Sequence, residues 1–300
     1  MDRIEFVKLS GSGNDFVCLD NRDGRFDGLL ANAARIGAFA SQLCRRGLGV
    51  SADGVVFACR GEFEGPWHIA ARFFEPDGSE AELCGNGTAC FARWAIDSGF
   101  SPPGEIKILT PAGVVRGRQV DGSYIRVCIP LPENPQRDID LTVHGVPCRC
   151  DFAVTGVPHL VTFVADVAAV DVHETGKALR WHPRFQPRGV NVNFAQVLGA
   201  GRLAVRTFEF GVEAETLACG TGAATAAVMA ATRFGWSGGL TRGDEPILVE
   251  ARGGDTLRVF VTLGLQQEVT DLCLDTTVRY IYSGVLADEF AARALGADGV

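Results

Sequence analysis

The 300-residue sequence predicts an α+β protein made of two related α/β domains, and three observations point there. A short unit occurs twice, Cys84-Gly85-Asn86-Gly87-Thr88-Ala89 and Cys219-Gly220-Thr221-Gly222-Ala223-Ala224, with its cysteines 135 positions apart. Each copy opens a stretch rich in Ala and other apolar residues on nearly every helical face, which reads as a buried central helix. Between and around these helices the chain alternates short apolar runs with turn residues, as strands do. The duplication extends upstream. Arg72-Phe73-Phe74-Glu75 precedes the first cysteine and Arg206-Thr207-Phe208-Glu209 the second, with Glu-Ala-Glu at 80–82 and 213–215 in the gaps. No other internal match stands out.

The elements follow in order. Residues 4–9 and 16–20 read as strands joined by a turn at Ser10–Asp15. A helix is expected at about 31–46, ended by Gly47 and Gly49, then a turn at Ser51-Ala52-Asp53-Gly54 and a strand at 55–57. A strand at 67–75 leads to the first unit, whose helix runs to about Ser98 and stops at Gly99. Short strands fill 105–130, broken at Pro111-Ala112-Gly113 and Asp121-Gly122. Leu131-Pro132-Glu133-Asn134-Pro135 is the expected linker. Strands at 141–153 and 160–165, a helix at 173–180, a loop from Trp181 to Gly189 and strands at 190–198 and 202–210 lead to the second helix, 221–233. Strands at 247–250, 256–264 and 277–282 close the chain. The expected domains are 1–130 with about 280–300, carrying Cys84, and 131–279, carrying Cys219.

Composition narrows the function. With 47% hydrophobic and 21% charged residues the chain is ordinary globular protein, and its net charge of −8 argues against nucleic acid or an anionic membrane as partner. The N-terminus has no apolar signal region and no run approaches a spanning helix, so a cytoplasmic location is expected. The ten cysteines are scattered, and reduced thiols are the reading that fits. Cys148-Arg149-Cys150 is closely spaced but is not a zinc pattern, so no metal is expected; two buried or half-exposed strand thiols are.

A cysteine just before a Gly-rich helix start sits where unpaired backbone N–H groups and the positive helix end converge. That setting stabilises a thiolate, and the same N–H groups suit a carboxylate. Two such units facing one ligand would hold its carboxylate and put a sulfur on each side of the adjacent carbon. One sulfur then takes a proton and the other returns one to the opposite face, which is acid–base catalysis with inversion. Packing alone accounts for a single Cys-Gly-x-Gly, but gives no reason to repeat it.

Four segments carry a family resemblance: Gly11-Ser12-Gly13-Asn14-Asp15-Phe16; Asp77-Gly78-Ser79-Glu80 running into Cys84-Gly85-Asn86-Gly87; Gly189-Val190-Asn191; and Glu215-Thr216-Leu217-Ala218-Cys219-Gly220-Thr221-Gly222. In that order they resemble the diaminopimelate epimerases, cofactor-independent two-cysteine enzymes. The resemblance implies domains built as mostly antiparallel sheets curled around a central helix, with the C-terminal strand returning to the first domain at Tyr280–Gly284. It implies Cys84 and Cys219 as a thiolate–thiol pair and no cofactor. The substrate carboxylate would lie on the N–H groups of Gly85, Asn86, Gly220 and Thr221, and Asn14, Asn191 and Glu209 would line the pocket. Asp77 and Glu80 fall inside the matching motif.

Three positions depart from the family pattern. Phe210 stands for an arginine after Glu209, Val157 for an asparagine before Pro158-His159, and Glu75 for an asparagine ahead of Asp77. In the family these groups read the far end of the substrate. A carboxylate and an aromatic ring there favour a cationic or aromatic amino acid such as histidine, with Glu75 as counter-charge and Phe210 as a cation–π face. The alternatives are diaminopimelate itself, with the changes compensated elsewhere, and, from other classes, a thiol redox switch or a non-catalytic amino-acid-binding module. The only partner called for is a small amino-acid substrate, with a homodimer as the one assembly considered.

Overall fold

The computed structural model describes residues 3–60, 69–101 and 104–296. The chain divides into two units, Met1–Ile125 with Val278–Val300, and Arg126–Thr277. The first unit starts with a hairpin, β1 (Glu5–Gly11) and β2 (Asn14–Asn21), turning at Ser12 and Gly13, both at positive φ. Such a two-residue turn matches the twist of the strands it joins. Helices α1 (Asp27–Leu30) and α2 (Ala33–Cys44) connect β2 to β3 (Gly54–Cys59), and β4 (Ile69–Phe74) and the short β5 (Glu80–Ala81) lead to α3 (Gly85–Asp97). Strands β6 (Glu105–Thr110), β7 (Gly113–Asp121) and β8 (Tyr124–Cys128) follow.

The second unit contains β9 (Glu133–Val143), β10 (Val146–Thr155), β11 (Val157–Phe163), α4 (Val172–Arg180), β12 (Asn191–Gly199), β13 (Arg202–Glu209), β14 (Ala214–Glu215), α5 (Gly220–Arg233), β15 (Ile247–Ala251) and β16 (Thr256–Leu263). Strand β17 (Val269–Val285) pairs with β16 through 269–275 and with β1 through 278–285, and α6 (Asp288–Ala294) ends the described chain.

The two units share one wiring. In the first, β1–β2 is antiparallel, β2–β3 parallel, β3–β4 and β4–β5 antiparallel, β4–β6 parallel and β6–β7 antiparallel. In the second, β10–β11, β11–β12, β12–β13, β13–β14, β13–β15 and β15–β16 repeat that series pair by pair. The duplication therefore covers seven strands of each unit, β1–β7 and β10–β16, well beyond the one segment visible in sequence. Helix α3 touches β1, β2, β3, β6 and β7, and α5 touches β10, β11, β12, β13, β15 and β16, so each sheet curls around its helix. A helix that meets strands on all sides must be apolar all round, as both sequences are.

A second layer covers the outer face of each sheet. Phe26, Ile36, Phe39 and Leu43 pack on Val17, Leu19, Val55 and Phe57 in the first unit. Val172 and Leu179 pack with Leu160, Val192, Phe194 and Phe208 in the second.

Several expectations need correcting. The helix expected at about 31–46 is α2, which starts at Ala33 because Asn32 adopts an extended conformation and caps it through a bond from the Arg35 N–H, and which ends at Cys44; the short α1 before it was not expected. The strand expected at 141–153 is a hairpin, since His144 and Gly145 both lie at positive φ and reverse the chain. Glu133, Asn134 and Pro135, read as linker, belong to β9, and the chain passes between units inside β8 and β17. The strand expected at 277–282 is the 17-residue β17. Residues 67 and 68 of the strand expected at 67–75 lie outside the described residues. Cys128 and Cys273, expected as thiols, form a disulfide between neighbouring β8 and β17. No described helix is long and apolar enough to cross a membrane.

The turn ahead of the first cysteine rests directly on α2. Gly78 has φ +89°, and a Cβ there would sit 2.5 Å from the Gly37 carbonyl oxygen. Gly47 also has positive φ (+76°) but open space around it. Gly78→Ala should therefore cost more than the roughly 1–2 kcal/mol of backbone strain expected of Gly47→Ala, by about 1–3 kcal/mol. Chemical denaturation of the two variants checks this; equal losses would show that the contact with Gly37 yields freely.

Candidate active site

Both cysteines are helix N-caps. Cys84 has an extended backbone, and its sulfur accepts the Gly87 N–H at 3.4 Å; Cys219 does the same for the Gly222 N–H at 3.4 Å. Both side chains are half-buried. Capping uses the third N–H of each helix and leaves those of Gly85 and Asn86, and of Gly220 and Thr221, in the first turn, where an α-helix provides no acceptor. The dipoles of α3 and α5 add positive potential at the same points.

The glycines are needed where α3 and α5 meet their sheets. A Cβ on Gly87 would lie 3.0 Å from the Phe16 ring, and one on Gly222 would lie 2.2 Å from Asn193 Oδ1. Gly11 is equally tight, with the Asn86 carbonyl oxygen 2.9 Å and Cys90 Sγ 3.0 Å from a Cβ built there. Cys90 is a core residue, its thiol pushed far above the usual range by burial.

Each helix start is tied to the strand beside it, with different chemistry in the two units. In the first, Asn86 Nδ2 donates to Asn14 Oδ1 at 2.8 Å, and Asn14 Nδ2 donates to Asp53 at 3.3 Å. Asp53, read from sequence as a turn residue, also accepts the Asp15 N–H at 3.0 Å, and burial raises its pKa. In the second, Thr221 Oγ1 lies 3.0 Å from His159 Nε2 and 3.6 Å from Cys219 Sγ. His159 Nδ1 faces Asn193 Nδ2 at 3.3 Å, and the Thr207 hydroxyl donates to Asn193 Oδ1 at 2.9 Å. With Asn193 donating to Nδ1, the neutral ring carries its proton on Nε2 and donates to Thr221, whose own O–H is then available to Cys219. Such a chain can stabilise a thiolate there.

The shared wiring identifies equivalent positions. Phe16 is the third residue of β2 and pairs with Gly54, the first of β3; His159 is the third of β11 and pairs with Asn191, the first of β12. The place held by a dry aromatic ring in one unit holds an imidazole in the other. Sequence reading did not single out Asn193 or Thr207. The signal available was the alternation Asn191-Val192-Asn193, which puts two amides on one strand face.

The other expected site residues sort cleanly. Asn191, 5% exposed, accepts the Phe210 N–H at 3.0 Å and so fixes the backbone where the family pattern has its arginine. Glu209 accepts the Thr216 hydroxyl. Glu75, the counterpart of Glu209, starts the turn closed by the bond from its N–H to the Ser79 carbonyl, and is half-buried. Glu80 is held by Arg72 through two bonds of 2.7 Å, just as Arg206 holds Glu215 at 2.6 and 2.9 Å; these are buttresses of the two β-turn units. Asp77 accepts the Ser79 N–H and hydroxyl and shapes its turn. Val157 is half-buried at the start of β11. The only cluster of possible metal ligands among the described residues is Cys128, Asp271 and Cys273, whose sulfurs are joined to each other.

Comparison with known families matches residues 6–123 and 152–261 to Diaminopimelate epimerase. The chain belongs to the diaminopimelate epimerase family. It is 36% identical over 291 residues to the diaminopimelate epimerase of Aquifex aeolicus, covering 95% of this chain and 99% of that one. It is 39% identical over 268 residues to that of Methanothrix thermoacetophila, covering 85% and 88%. Among solved structures, the fold is that of a hydroxyproline epimerase from Agrobacterium vitis (TM-score 0.73, 14% identity, 95% and 93% coverage). It is also that of a PhzF-family protein from Bacillus anthracis (TM-score 0.71, 15% identity, 96% and 100% coverage). The expected α+β fold and the family are thus established, and with them an isomerase acting as an amino-acid epimerase.

Burial holds His159 neutral, with its pKa lowered to about 3. Unfolding restores a pKa near 6.5. Below about pH 6.5 the unfolded chain therefore binds a proton that the folded one does not, and stability falls as pH drops towards 3, by up to about 1.4 kcal/mol per pH unit. Urea melts of His159→Gln, which cannot titrate, should show a flatter decline over that window. An unchanged slope would mean that His159 protonates in the fold.

Proposed function

We propose that Cys84 and Cys219 act as a thiolate–thiol pair on one amino-acid α-carbon, one cysteine from each unit, and that the substrate is diaminopimelate. The observation that carries the chemistry is the repeated capping geometry: a half-buried sulfur on the N-terminus of a buried helix, next to first-turn N–H groups. The substrate carboxylate binds the N–H groups of Gly85, Asn86, Gly220 and Thr221. The thiolate removes the α-proton, the resulting carbanion is stabilised by the donors on the carboxylate, and the other thiol delivers a proton to the opposite face. The enantiomer bound decides which sulfur is base. Asn14, through Asn86, and His159, through Thr221, keep the two helix starts in position.

Diaminopimelate is supported by the names of the relatives, which are similar to this chain along most of its length. The compensation for Phe210 is Arg180, whose guanidinium lies 5.4 Å from the Phe210 ring centroid, packed against Trp181 and paired with Glu213 at 2.9 Å. Its Nη1 is buried without an acceptor among the described residues, so a cation with a spare donor stands beside position 210. A second reading, a cationic or aromatic amino acid such as histidine, is favoured by Glu75, Val157 and Phe210 itself, because none of these attracts a distal carboxylate.

A panel of diaminopimelate, histidine, lysine, ornithine and arginine, followed by chiral chromatography, separates the readings. The expected result is kcat/KM for diaminopimelate at least about tenfold above any other, a difference of about 1.4 kcal/mol. Cys84→Ala and Cys219→Ala should each lose about 10²–10⁴ or more in turnover. Faster turnover of histidine or another cationic substrate would replace the first reading with the second. Inversion of none of them would remove both.

A further inference from the structure

Away from both helix starts, the second unit carries another pair of sulfurs. Cys148 and Cys150 lie two apart on β10 and so share one face, opposite Leu141 and Ile139 of β9. Their sulfurs are 3.5 Å apart, and Thr162 Oγ1 of β11 lies 3.0 Å from Cys150 Sγ and 3.8 Å from Cys148 Sγ. Cys148 is half-buried and Cys150 is 1% exposed. The arrangement is directional. The outer sulfur can be reached by a small reagent, and the inner one is shielded but touches it. A hydrogen bond from the Cys150 thiol, helped by Thr162, holds the Cys148 pKa down at about 6, while the same bond and burial raise that of Cys150. The bond thus favours the thiolate at the half-buried Cys148 and the thiol at the buried Cys150. A nucleophilic, accessible thiolate beside a resolving thiol is the pattern of an oxidant-reactive cysteine.

We propose that Cys148 and Cys150 form a hydroperoxide-reactive dithiol, a modification site separate from the epimerase chemistry. The Cys148 thiolate attacks the peroxide, a sulfur–oxygen bond forms, the O–O bond breaks, and the alcohol or water released takes a solvent proton. This two-electron oxidation of sulfur leaves a sulfenic acid. The Cys150 sulfur then attacks Cys148, a sulfur–sulfur bond forms, the sulfur–oxygen bond breaks, and water leaves with the Cys150 proton. The sulfurs need approach by only about 1.5 Å to reach bonding distance. Neither residue belongs to the capping machinery, so Cys148→Ser and Cys150→Ser retain the basal epimerase activity.

The test is peptide mass spectrometry after treating the reduced full-length protein with one equivalent of hydrogen peroxide and alkylating the remaining thiols. The expected product is a Cys148–Cys150 bridge, a peptide lighter by two hydrogen atoms, formed ahead of any change at Cys84 or Cys219. In Cys150→Ser the reaction stops at a sulfenic acid on Cys148 that a dimedone probe captures. In Cys148→Ser oxidation at position 150 slows at least about tenfold, since a buried protonated thiol is a poor nucleophile. Unmodified Cys148 in protein whose Cys84 or Cys219 has been oxidised would overturn the proposal. So would Cys150→Ser, folded and active, that gives no dimedone adduct.

Discussion

The structure depends on one local arrangement, a cysteine sulfur accepting the third N–H of a helix that is surrounded by its own sheet. Because the sheet wraps the helix, its sides must be apolar and its start must be tight, which fixes glycine two residues into α3 and α5. Because the N-cap is a sulfur, each helix start carries a thiol beside the first-turn N–H groups. A serine or aspartate would cap as well or better, so cysteine there answers a chemical need and not a folding one.

Duplication gives two such points, and the units differ where it matters chemically. The position beside the helix start is Phe16 in one unit and His159 in the other. The first helix is tied down by asparagines and Asp53, the second by a threonine, a neutral histidine and Asn193. Under the proposed mechanism the two sulfurs exchange the roles of base and acid and need not be equally easy to ionise, and this unequal wiring is a physical means of setting the difference. The buttressing arginine–glutamate pairs, in contrast, are the same in both units, as expected of parts that only support the turn.

Much of this was legible in the sequence, for identifiable reasons. The helices α3 and α5 announced themselves by being apolar on every face, and the cysteine–glycine pattern marked their starts. The family motifs supplied the curled sheets, which periodicity could not. The full extent of the duplication was hidden because strand pairing, unlike the motif, leaves little trace in residue identity: Phe16 and His159 occupy one place with nothing in common but size and planarity. The hairpin at His144-Gly145 was missed because alternation continues through a two-residue turn. The placement of Arg180 beside Phe210 was invisible because it comes from a helix 30 residues upstream. The disulfide between Cys128 and Cys273 joins residues far apart in sequence, and no spacing rule pairs them.

The proposed mechanism assigns two different sulfurs to the two faces of one carbon. The direct measurement is incubation of a single substrate stereoisomer in D₂O to a few per cent conversion, with the α-hydrogen of product and recovered substrate read separately by mass spectrometry. Two sulfurs predict deuterium in the product, supplied by the solvent-equilibrated thiol, and protium in the recovered substrate. Equal deuterium in both, or protium carried into the product, would mean that one group serves both faces.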